Sequence, residues 1–209
     1  TYIHRQLDFL RAEGFLPAAF EARYARAAET IAASAERELP RLEASRVHGD
    51  LHLGNVLLRD GVLRVLDFDD ACTGPAVQDL WLALPGRDAE TRRRRGLFLE
   101  GYERFRVFDR GSLRVIKVLR GLRLVRYCGW LAKRWHDPAF KRGWPHFGSA
   151  DYWRQETEDL EQQVARVAEG LRSAGGEAAE AASWPVGAGG AEAPGELTNK
   201  DYFWDWEED

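Results

Sequence analysis

A short stretch near residue 50 concentrates side chains that could carry out chemistry. "HGDLHLGN", residues 48–55, holds two histidines, an aspartate and an asparagine, and "DFDD", residues 67–70, adds three more aspartates. Carboxylate and amide oxygens are hard donors that suit Mg²⁺, and a carboxylate can also orient a hydroxyl group and accept its proton. The stretch therefore predicts a site that combines a metal ion with acid–base chemistry.

The residues between these two motifs predict a β-hairpin that would bring their oxygens together. In "NVLLRDGVLRVLD", residues 55–67, two apolar runs flank an Asp-Gly pair, which is a strong signal for a tight hairpin turn. Such a turn pairs residues whose numbers sum to about 121 or 122, so Asn55 would lie opposite Leu66 or Asp67. We expect Asn55 and Asp67 to share a Mg²⁺ ion, with Asp50 close by in the loop that enters the hairpin.

This constellation corresponds to the one described for kinase phosphoryl transfer. There, an aspartate is followed five residues later by a metal-binding asparagine, and a second metal-binding aspartate follows a hairpin. In this chain the kinase His-Arg-Asp element becomes "HGD", and the Asp-Phe-Gly element becomes "DFD". Through these motifs the chain resembles the aminoglycoside phosphotransferase and choline kinase superfamily of protein-kinase-like folds.

Further segments make the resemblance more specific. "DFDDACTGPAVQDLWLAL", "LRGLRLVRYCGWLAKRWHDPAF" and "DYWRQET" are similar to segments of the stress response kinase A family, which are bacterial serine/threonine protein kinases. The resemblance covers roughly residues 1–172. It implies ATP and Mg²⁺ as cofactors and a hydroxyl group as phosphoryl acceptor. A protein serine or threonine is the acceptor that the family suggests, and an aminoglycoside, choline or homoserine-like alcohol is the alternative.

The resemblance also assigns roles to individual residues. Asp50 corresponds to the catalytic base. Asn55 and Asp67 correspond to the metal ligands, and Asp67 is also expected to be a catalytic residue. His48 would hold the backbone of the loop that carries Asp50. Asp79, in "VQDLW", would accept backbone N–H bonds from the same loop.

For three other polar residues of the stretch, a structural role competes with a role at the site. His52 is either structural or in contact with substrate or phosphate, and the sequence does not separate the two. Asp69 and Asp70 are expected to be hydrogen-bonded scaffold, although one of them could reach a second Mg²⁺ through water.

Two other classes of function compete with a phosphotransferase. "GDLH…GN" superficially resembles dinuclear metallophosphoesterases, but that interpretation leaves the Asp-Gly hairpin and "DFDD" without a role. The non-enzymatic alternative is a binding or regulatory module: a kinase-like lobe that no longer phosphorylates, or the C-terminal partner of a separately encoded lobe. The presence of Asp50, Asn55 and Asp67 argues against a loss of chemistry in the parent protein, whereas the expected absence of the N-terminal lobe argues for it in this chain.

The remaining sequence predicts an α+β fold that is mainly α, namely the helical C-terminal lobe of a protein-kinase-like fold with a small β-hairpin at the active site. Helical patterns are predicted over 17–39, 112–135 and 149–173, with Ser149 as an N-cap. No Gly-rich loop or lysine precedes Lys117, so the N-terminal lobe that clamps ATP is expected to be missing from this chain. The complete absence of methionine also suggests a fragment. We therefore expect negligible kinase activity from the isolated chain.

Composition adds several exclusions. A net charge of −4 and a pI near 5.8 give no general attraction to nucleic acid or to an anionic membrane. The two cysteines match no disulfide framework or zinc site, which favours a reducing, cytoplasmic setting. No apolar run approaches the roughly 20 residues of a membrane helix. The run Arg92–Arg95 is expected to be a solvated helix face.

The C-terminal part of the chain has a different composition. Residues 173–197 are rich in Gly, Ala, Glu and Pro, which predicts a disordered linker. Residues 198–209 form an acidic and aromatic tail that ends in "DYFWDWEED". This tail is either frayed or a short docking segment.

Overall fold

The computed structural model describes residues 2–172, which form two compact units. Most of the described residues are helical, and the strands are short, so the prediction of a mainly α fold with a small β-hairpin is confirmed. The predicted linker 173–197 and tail 198–209 lie outside the described residues. None of the helices in the described part is both long and apolar enough to cross a bilayer.

The first unit comprises residues 2–41 and 117–172 and is helical. Its helices are α1 (Tyr2–Ala12), α2 (Ala18–Glu38), most of α5 (Ile116–Arg134), α6 (Pro138–Gly143) and α7 (Ala150–Arg172). The predicted helices at 17–39 and 149–173 are confirmed as α2 and α7. The predicted helix 112–135 is shorter than expected, because residues 110–115 form a 3-10 turn before α5 begins.

Local sequence explains where α2 and α7 begin and how they pack. Pro17 has an extended backbone, and α2 starts directly after it. Ser149 caps α7, since its Oγ accepts a hydrogen bond from the backbone N–H of Tyr152 at 3.1 Å. Tyr24 of α2 contacts the fully buried Trp153 of α7 edge to face, with ring centroids 5.3 Å apart. The two helices therefore share the core of this unit.

The second unit comprises residues 42–116 and contains all the strands of the described part. Its elements are β1 (Ser45–Val47), β2 (Val56–Arg59), β3 (Val62–Val65), β4 (Cys72–Gly74), α3 (Val77–Ala83) and α4 (Ala89–Glu103). Helix α3 is largely buried, as its apolar pattern predicts. Neither Cys72 nor Cys128, which lies in the first unit, forms a disulfide within the described residues.

Strands β2 and β3 form the predicted hairpin. Asp60 and Gly61 occupy the turn with φ values of 54° and 73°, which is the left-handed pair that a two-residue type I′ turn requires. Arg59 pairs with Val62 across the turn, so paired residue numbers sum to 121. The register therefore falls within the range predicted from the Asp-Gly signal.

A second strand pair was not expected from the sequence. Strands β1 and β4 have three residues each and pair antiparallel, with Val47 opposite Cys72. Segments this short carry no readable alternation of apolar and polar residues. The pair brings the start of the "HGD" segment next to the residues that follow "DFDD".

The arginine run at 92–95 is only partly solvated, which corrects the expectation for Arg95. Arg93 and Arg94 pair with Glu90 on the surface of α4, and these bonds lower the pKa of Glu90 to about 2. Arg95 is buried and donates hydrogen bonds to the carbonyl oxygens of Leu84 and Gly86. A guanidinium carries several donors in a fixed fork, so it can bind both of these carbonyl oxygens, which follow the end of α3.

Candidate active site

The loop that carries Asp50 is held in place by the carboxylate of Asp79. The backbone N–H of His48 donates to Asp79 Oδ2 at 2.8 Å, and the backbone N–H of Gly49 donates to Oδ1 at 2.9 Å. Asp79 lies in the first turn of α3, and the neighbouring Gln78 donates from Nε2 to the carbonyl oxygen of Gly49 at 3.3 Å. Three hydrogen bonds to residues in the first turn of α3 thus position His48 and Gly49, the two residues before Asp50.

Gly49 occupies a position that no other residue fits. Its φ is +87°, in the region that side chains rarely adopt. A Cβ atom built on Gly49 would lie 2.2 Å from the carbonyl oxygen of Asp70, which is far inside van der Waals contact. The loop before Asp50 therefore lies directly against the backbone that follows the hairpin. The sequence alone showed this residue only as a departure from the kinase His-Arg-Asp pattern.

His48 connects the Asp50 loop to the end of β3. Its Nδ1 accepts a hydrogen bond from the backbone N–H of Asp50 at 3.3 Å, so the ring proton resides on Nε2. Nε2 then donates to the carbonyl oxygen of Leu66 at 2.7 Å, and the ring packs against Phe68 with centroids 4.7 Å apart. The buried ring of His48 thus connects Asp50, the predicted base, to Leu66 and Phe68, the residues on either side of Asp67.

The side chain of Asp50 is buried next to His52. His52 Nδ1 accepts from the backbone N–H of Gly54 at 3.0 Å, which leaves the proton on Nε2. Nε2 lies 3.6 Å from Asp50 Oδ2, which is longer than a hydrogen bond. His52 therefore caps the 3-10 turn Leu53–Asn55 and also faces the carboxylate of Asp50.

Among residues 2–172, only one end of the Asn55 side-chain amide makes a hydrogen bond. Its Nδ2 donates to the main-chain carbonyl oxygen of Asp50 at 3.0 Å. A carbonyl oxygen can only accept, so the orientation of the amide is determined, and Oδ1 is the end left to bind another group. The main-chain carbonyl of Asn55 accepts from the N–H of Leu66 at 2.9 Å, which extends the hairpin by one pair.

Asp67 follows Leu66 directly, and at Asp67 the backbone turns away from the direction of β3. Its φ is +59°, a left-handed conformation in which aspartate is enriched relative to most residues. Its carboxylate is exposed and makes no hydrogen bond or ion pair with another residue among 2–172. The structure thus places a free carboxylate one residue beyond the partner of Asn55.

The structure brings several of the sequence-predicted residues together and leaves others apart. Hydrogen bonds connect the loop that carries Asp50 to Asn55, His48 and Asp79. Asp67 is connected to this group only through its neighbour Leu66, whose backbone is hydrogen-bonded to His48 and Asn55. Asp69 and Asp70 are exposed, and Asp70 approaches Gly49 through its backbone. In residues 2–172, no group of three or more His, Cys, Asp or Glu side chains could hold a metal ion.

Two apolar residues beside the site were not identified from the sequence. Residues paired across a hairpin share a face, and the face alternates along each strand. The register therefore puts Asn55 and Leu66 on the same face as Leu57. Both leucines are exposed. Alternation counted from Asn55 along the predicted hairpin could have found them.

Comparison with known families identifies the chain. A family model described as "Phosphotransferase enzyme family" matches residues 2–116, which is more than half of the sequence. The chain belongs to the phosphotransferase enzyme family. The matched residues include the hairpin and every residue of the site described above. The prediction of a phosphotransferase is therefore confirmed at the level of the family.

Similar proteins are stress response kinases. Stress response kinase A of Escherichia coli strain K12 is 42% identical over 150 residues, which are 71% of this chain and 45% of that protein. Stress response kinase A of Salmonella paratyphi A is 39% identical over 165 residues, 78% of this chain and 50% of that protein. A Salmonella typhimurium relative of the same identity and coverage is named "Serine/threonine protein kinase RdoA". The predicted resemblance is confirmed, and this phosphotransferase-family chain spans about half the length of the curated relatives it matches.

Proposed function

We propose that this phosphotransferase-family chain carries the catalytic and metal-binding residues of an ATP- and Mg²⁺-dependent protein kinase that phosphorylates serine or threonine. One observation carries the proposal: the amide of Asn55 is anchored to the Asp50 backbone, so its free oxygen and the free carboxylate of Asp67 follow the predicted base at kinase spacing. The name of one relative, "Serine/threonine protein kinase RdoA", favours a protein hydroxyl as acceptor. An ATP-dependent reaction of this kind is expected in the cytoplasm.

In this proposal Asp50 orients the acceptor. Its carboxylate accepts the hydroxyl proton while the hydroxyl oxygen forms a bond to the γ-phosphorus of ATP and ADP leaves with the electrons of the broken P–O bond. The backbone of the Asp50 loop is held by Asp79 and His48, so the carboxylate does not have to be ordered during the reaction. Burial beside His52 excludes water from one side of the group.

The donor set of Asn55 and Asp67 fits a magnesium ion. One amide oxygen and one carboxylate are hard ligands, and Mg²⁺ commonly takes one or two carboxylates together with substrate phosphate oxygens. When bound, the ion would neutralise charge that develops on the phosphates. The chain itself contributes preorganisation, because His48 and the Asn55–Leu66 pair hold the backbone on both sides of the ligands.

The exposed leucines beside Asn55 offer a surface for the nucleotide base. Leu57 and Leu66 share a face with Asn55, so an apolar ring lying on them would direct its phosphates toward the amide. Burying such a surface is favourable by about 25 cal/mol per Å². We propose these two residues as part of the ATP site.

We further propose that residues 1–172 act as the C-terminal lobe of a two-lobe kinase. Covering and clamping the phosphates would require elements that the sequence does not contain before Lys117. Positioning can contribute about 7–11 kcal/mol to catalysis, so the isolated 209-residue chain should transfer phosphate negligibly. A robust turnover by the isolated chain would contradict the two-lobe proposal.

Replacement of the proposed base tests the function directly. In the full-length natural protein, Asp50→Asn should lower the rate of phosphoryl transfer at least about a hundredfold and leave ATP affinity within about twofold. Asp60→Asn, on the exposed hairpin turn, is the matched control and should retain the wild-type rate. Radiolabelled ATP offered with protein mixtures and, separately, with small alcohols would identify the acceptor class. Unchanged transfer by Asp50→Asn would refute the assignment.

A metal titration tests the ligands without any turnover. Mn²⁺, a paramagnetic substitute for Mg²⁺, should broaden the NMR signals of Asn55 and of the residues around Asp67 first. Asp67→Asn should reduce the affinity for Mn²⁺ by about tenfold or more, and Asp60→Asn should not change it. Broadening centred elsewhere in the chain would assign the metal to other residues.

A further inference from the structure

His52 faces the proposed base with a ring nitrogen that carries a proton. Its Nδ1 accepts the backbone N–H of Gly54 at 3.0 Å, so the ring proton is on Nε2. This Nε2–H group lies 3.6 Å from Asp50 Oδ2, and each of the two side chains is only 9% exposed. A donor and a carboxylate thus meet in a buried place, about 0.5 Å beyond the usual length of a hydrogen bond.

The position of the His52 ring also depends on close packing against Gly54. A Cβ atom built on Gly54 would lie 2.8 Å from Cε1 and 2.9 Å from Nδ1 of the ring. Atoms in contact normally stay about 3.5–4.0 Å apart, so any side chain at residue 54 would push the ring away. The hydrogen bond and the packing against Gly54 together hold the ring with Nε2 toward Asp50.

The backbone holds His52 and Asp50 on one short turn. The N–H of His52 donates to the carbonyl oxygen of Asp50 at 2.9 Å, and the side-chain amide of Asn55 donates to the same oxygen at 3.0 Å. The carbonyl oxygen of His52 accepts the N–H of Asn55 at 3.0 Å. The ring and the carboxylate therefore belong to one hydrogen-bonded loop, and their closer approach requires no movement of distant elements.

Capping of the 3-10 turn does not by itself explain a histidine at residue 52. A cap needs only one acceptor, which serine, asparagine or aspartate supplies with a shorter side chain. The second ring nitrogen of His52 has no part in the cap and faces the carboxylate of Asp50. Hydrogen bonds to a catalytic group often shorten when the substrate binds, so a separation of 3.6 Å leaves this bond within reach.

We propose that His52 is a positioning residue, which donates a hydrogen bond from Nε2 to Asp50 Oδ2 while the acceptor hydroxyl is bound. The bond holds the plane of the carboxylate in one orientation, so the hydroxyl proton passes to an oxygen that is already in place. His52 itself exchanges no proton in this step. The inference rests on the proposed function, because His52 acts only through Asp50.

Replacement by two amides separates the two ring nitrogens. The amide of glutamine reaches about as far as Nε2 and can donate to Asp50, whereas the shorter amide of asparagine reaches about as far as Nδ1 and can accept from Gly54. In the full-length natural protein, His52→Asn should lower kcat about 10- to 100-fold and His52→Gln less than about fivefold, because a misoriented carboxylate slows the chemical step. KM for ATP should stay within about twofold in both variants. The reverse order, with His52→Asn near wild type and His52→Gln slow, would show a purely structural role and overturn the proposal.

Hydrogen exchange of the Gly54 amide in the 209-residue chain measures the capping role separately. Exchange should stay as slow as in the wild type in His52→Asn and become about tenfold faster in His52→Gln, which lacks an acceptor at the position of Nδ1. Protection of the Leu66 amide, which donates to Asn55, shows in each variant that the hairpin is folded. His146→Gln, at an exposed histidine of the first unit, is the matched control and should change neither kcat nor the exchange of Gly54.

A replacement of Gly54 moves the ring without removing it. Gly54→Ala should push the ring away from Asp50 and lower kcat as His52→Asn does, although both ring nitrogens are still present. Added to His52→Asn, it should lower kcat by less than about twofold, since no ring is left to displace. This variant tests the proposal even if His52→Gln does not fold. Wild-type kcat in Gly54→Ala would overturn the proposal.

Asp50→Asn distinguishes a failure of this inference from a failure of the proposed function. If Asp50→Asn abolishes transfer and His52→Asn keeps the wild-type kcat, only the role of His52 is refuted. If Asp50→Asn keeps the wild-type rate, the proposed function itself fails. In the Asp50→Asn background, His52→Asn should lower the remaining rate by less than about twofold, because the carboxylate that His52 positions is gone.

Discussion

The side-chain amide of Asn55 donates a hydrogen bond to the main-chain carbonyl of Asp50, five residues earlier in the sequence. The bond closes the loop on itself and directs the amide oxygen of Asn55 away from it. The proposed metal binding and the geometry of the loop therefore depend on the same side chain.

Replacement of Asn55 by aspartate should separate these two roles. The new carboxylate cannot donate to the carbonyl of Asp50, so the loop should lose about 1–2 kcal/mol of stability above pH 5, while an oxygen ligand is retained. Urea unfolding at pH 7 measures the loss, and Asn55→Ala provides the comparison without a ligand. Stability equal to the wild type would show that the bond to Asp50 contributes nothing.

Asp79 should be a major contributor to the stability of the second unit. Asp79→Ala removes both acceptors of the His48 and Gly49 N–H groups, and hydrogen bonds to charged groups contribute about 1.5–3 kcal/mol each. We expect a loss of about 3 kcal/mol in the free energy of unfolding. Asp79→Asn keeps one acceptor oxygen and should lose about half as much. Chemical denaturation of the three proteins would distinguish these outcomes.

Gly49 should tolerate no side chain. Gly49→Ala combines a strained positive φ with a clash against the Asp70 carbonyl, so we expect a loss of several kcal/mol or a displaced loop. Gly61→Ala, also at positive φ but with open space around its Cβ, is the matched control and should lose only about 1 kcal/mol. Thermal unfolding of both variants measures the difference. Similar melting temperatures would contradict the close contact.

The left-handed backbone of Asp67 predicts an unusual order of substitution effects. Asp67→Asn and Asp67→Gly should keep the stability within about 0.5 kcal/mol, because both residues accept positive φ. Asp67→Val should cost about 1–2 kcal/mol, since β-branched residues are strained there. Urea unfolding gives the ranking, and metal binding should be lost in Gly and Val alike. A Val variant as stable as the Gly variant would refute the assigned conformation.

The first unit should lose stability at alkaline pH. Burial, reinforced by the neighbouring Cys128 and Glu156, raises the pKa of both Tyr24 and Tyr152 well above the usual 10. The unfolded chain then releases protons above about pH 10 while the folded chain retains them. The stabilisation is therefore complete below pH 10 and declines above it, by up to about 1.4 kcal/mol per pH unit for each tyrosine.

Urea unfolding between about pH 9 and pH 11.5 checks this expectation. The double variant Tyr24→Phe with Tyr152→Phe should show a shallower decline than the wild type. Tyr102→Phe, in the other unit, is the matched control for loss of a hydroxyl. A decline of equal slope in the wild type and the double variant would show that these tyrosines do not cause it.

Several features could be predicted from the sequence because their cause is local. The Asp-Gly pair specifies a turn with two left-handed residues, and that turn sets the hairpin register and hence the pairing of Asn55 with Leu66. Pro17 and Ser149 mark helix starts for equally local reasons. The order and spacing of "HGDLHLGN" and "DFDD" also determine the family, while the roles of Asp50, Asn55 and Asp67 stay predictions.

Other features depend on contacts between residues far apart in the sequence, and only the tertiary structure decides them. The β1–β4 pair, the burial of Arg95 against the end of α3 and the contact of Gly49 with Asp70 leave no local pattern. The tautomer of His48 likewise follows from its two backbone partners, Asp50 and Leu66. Sequence spacing thus determined which groups this protein could bring to one site. Long-range packing decided which atom of each group is left free to act, because hydrogen bonds within the chain commit the others.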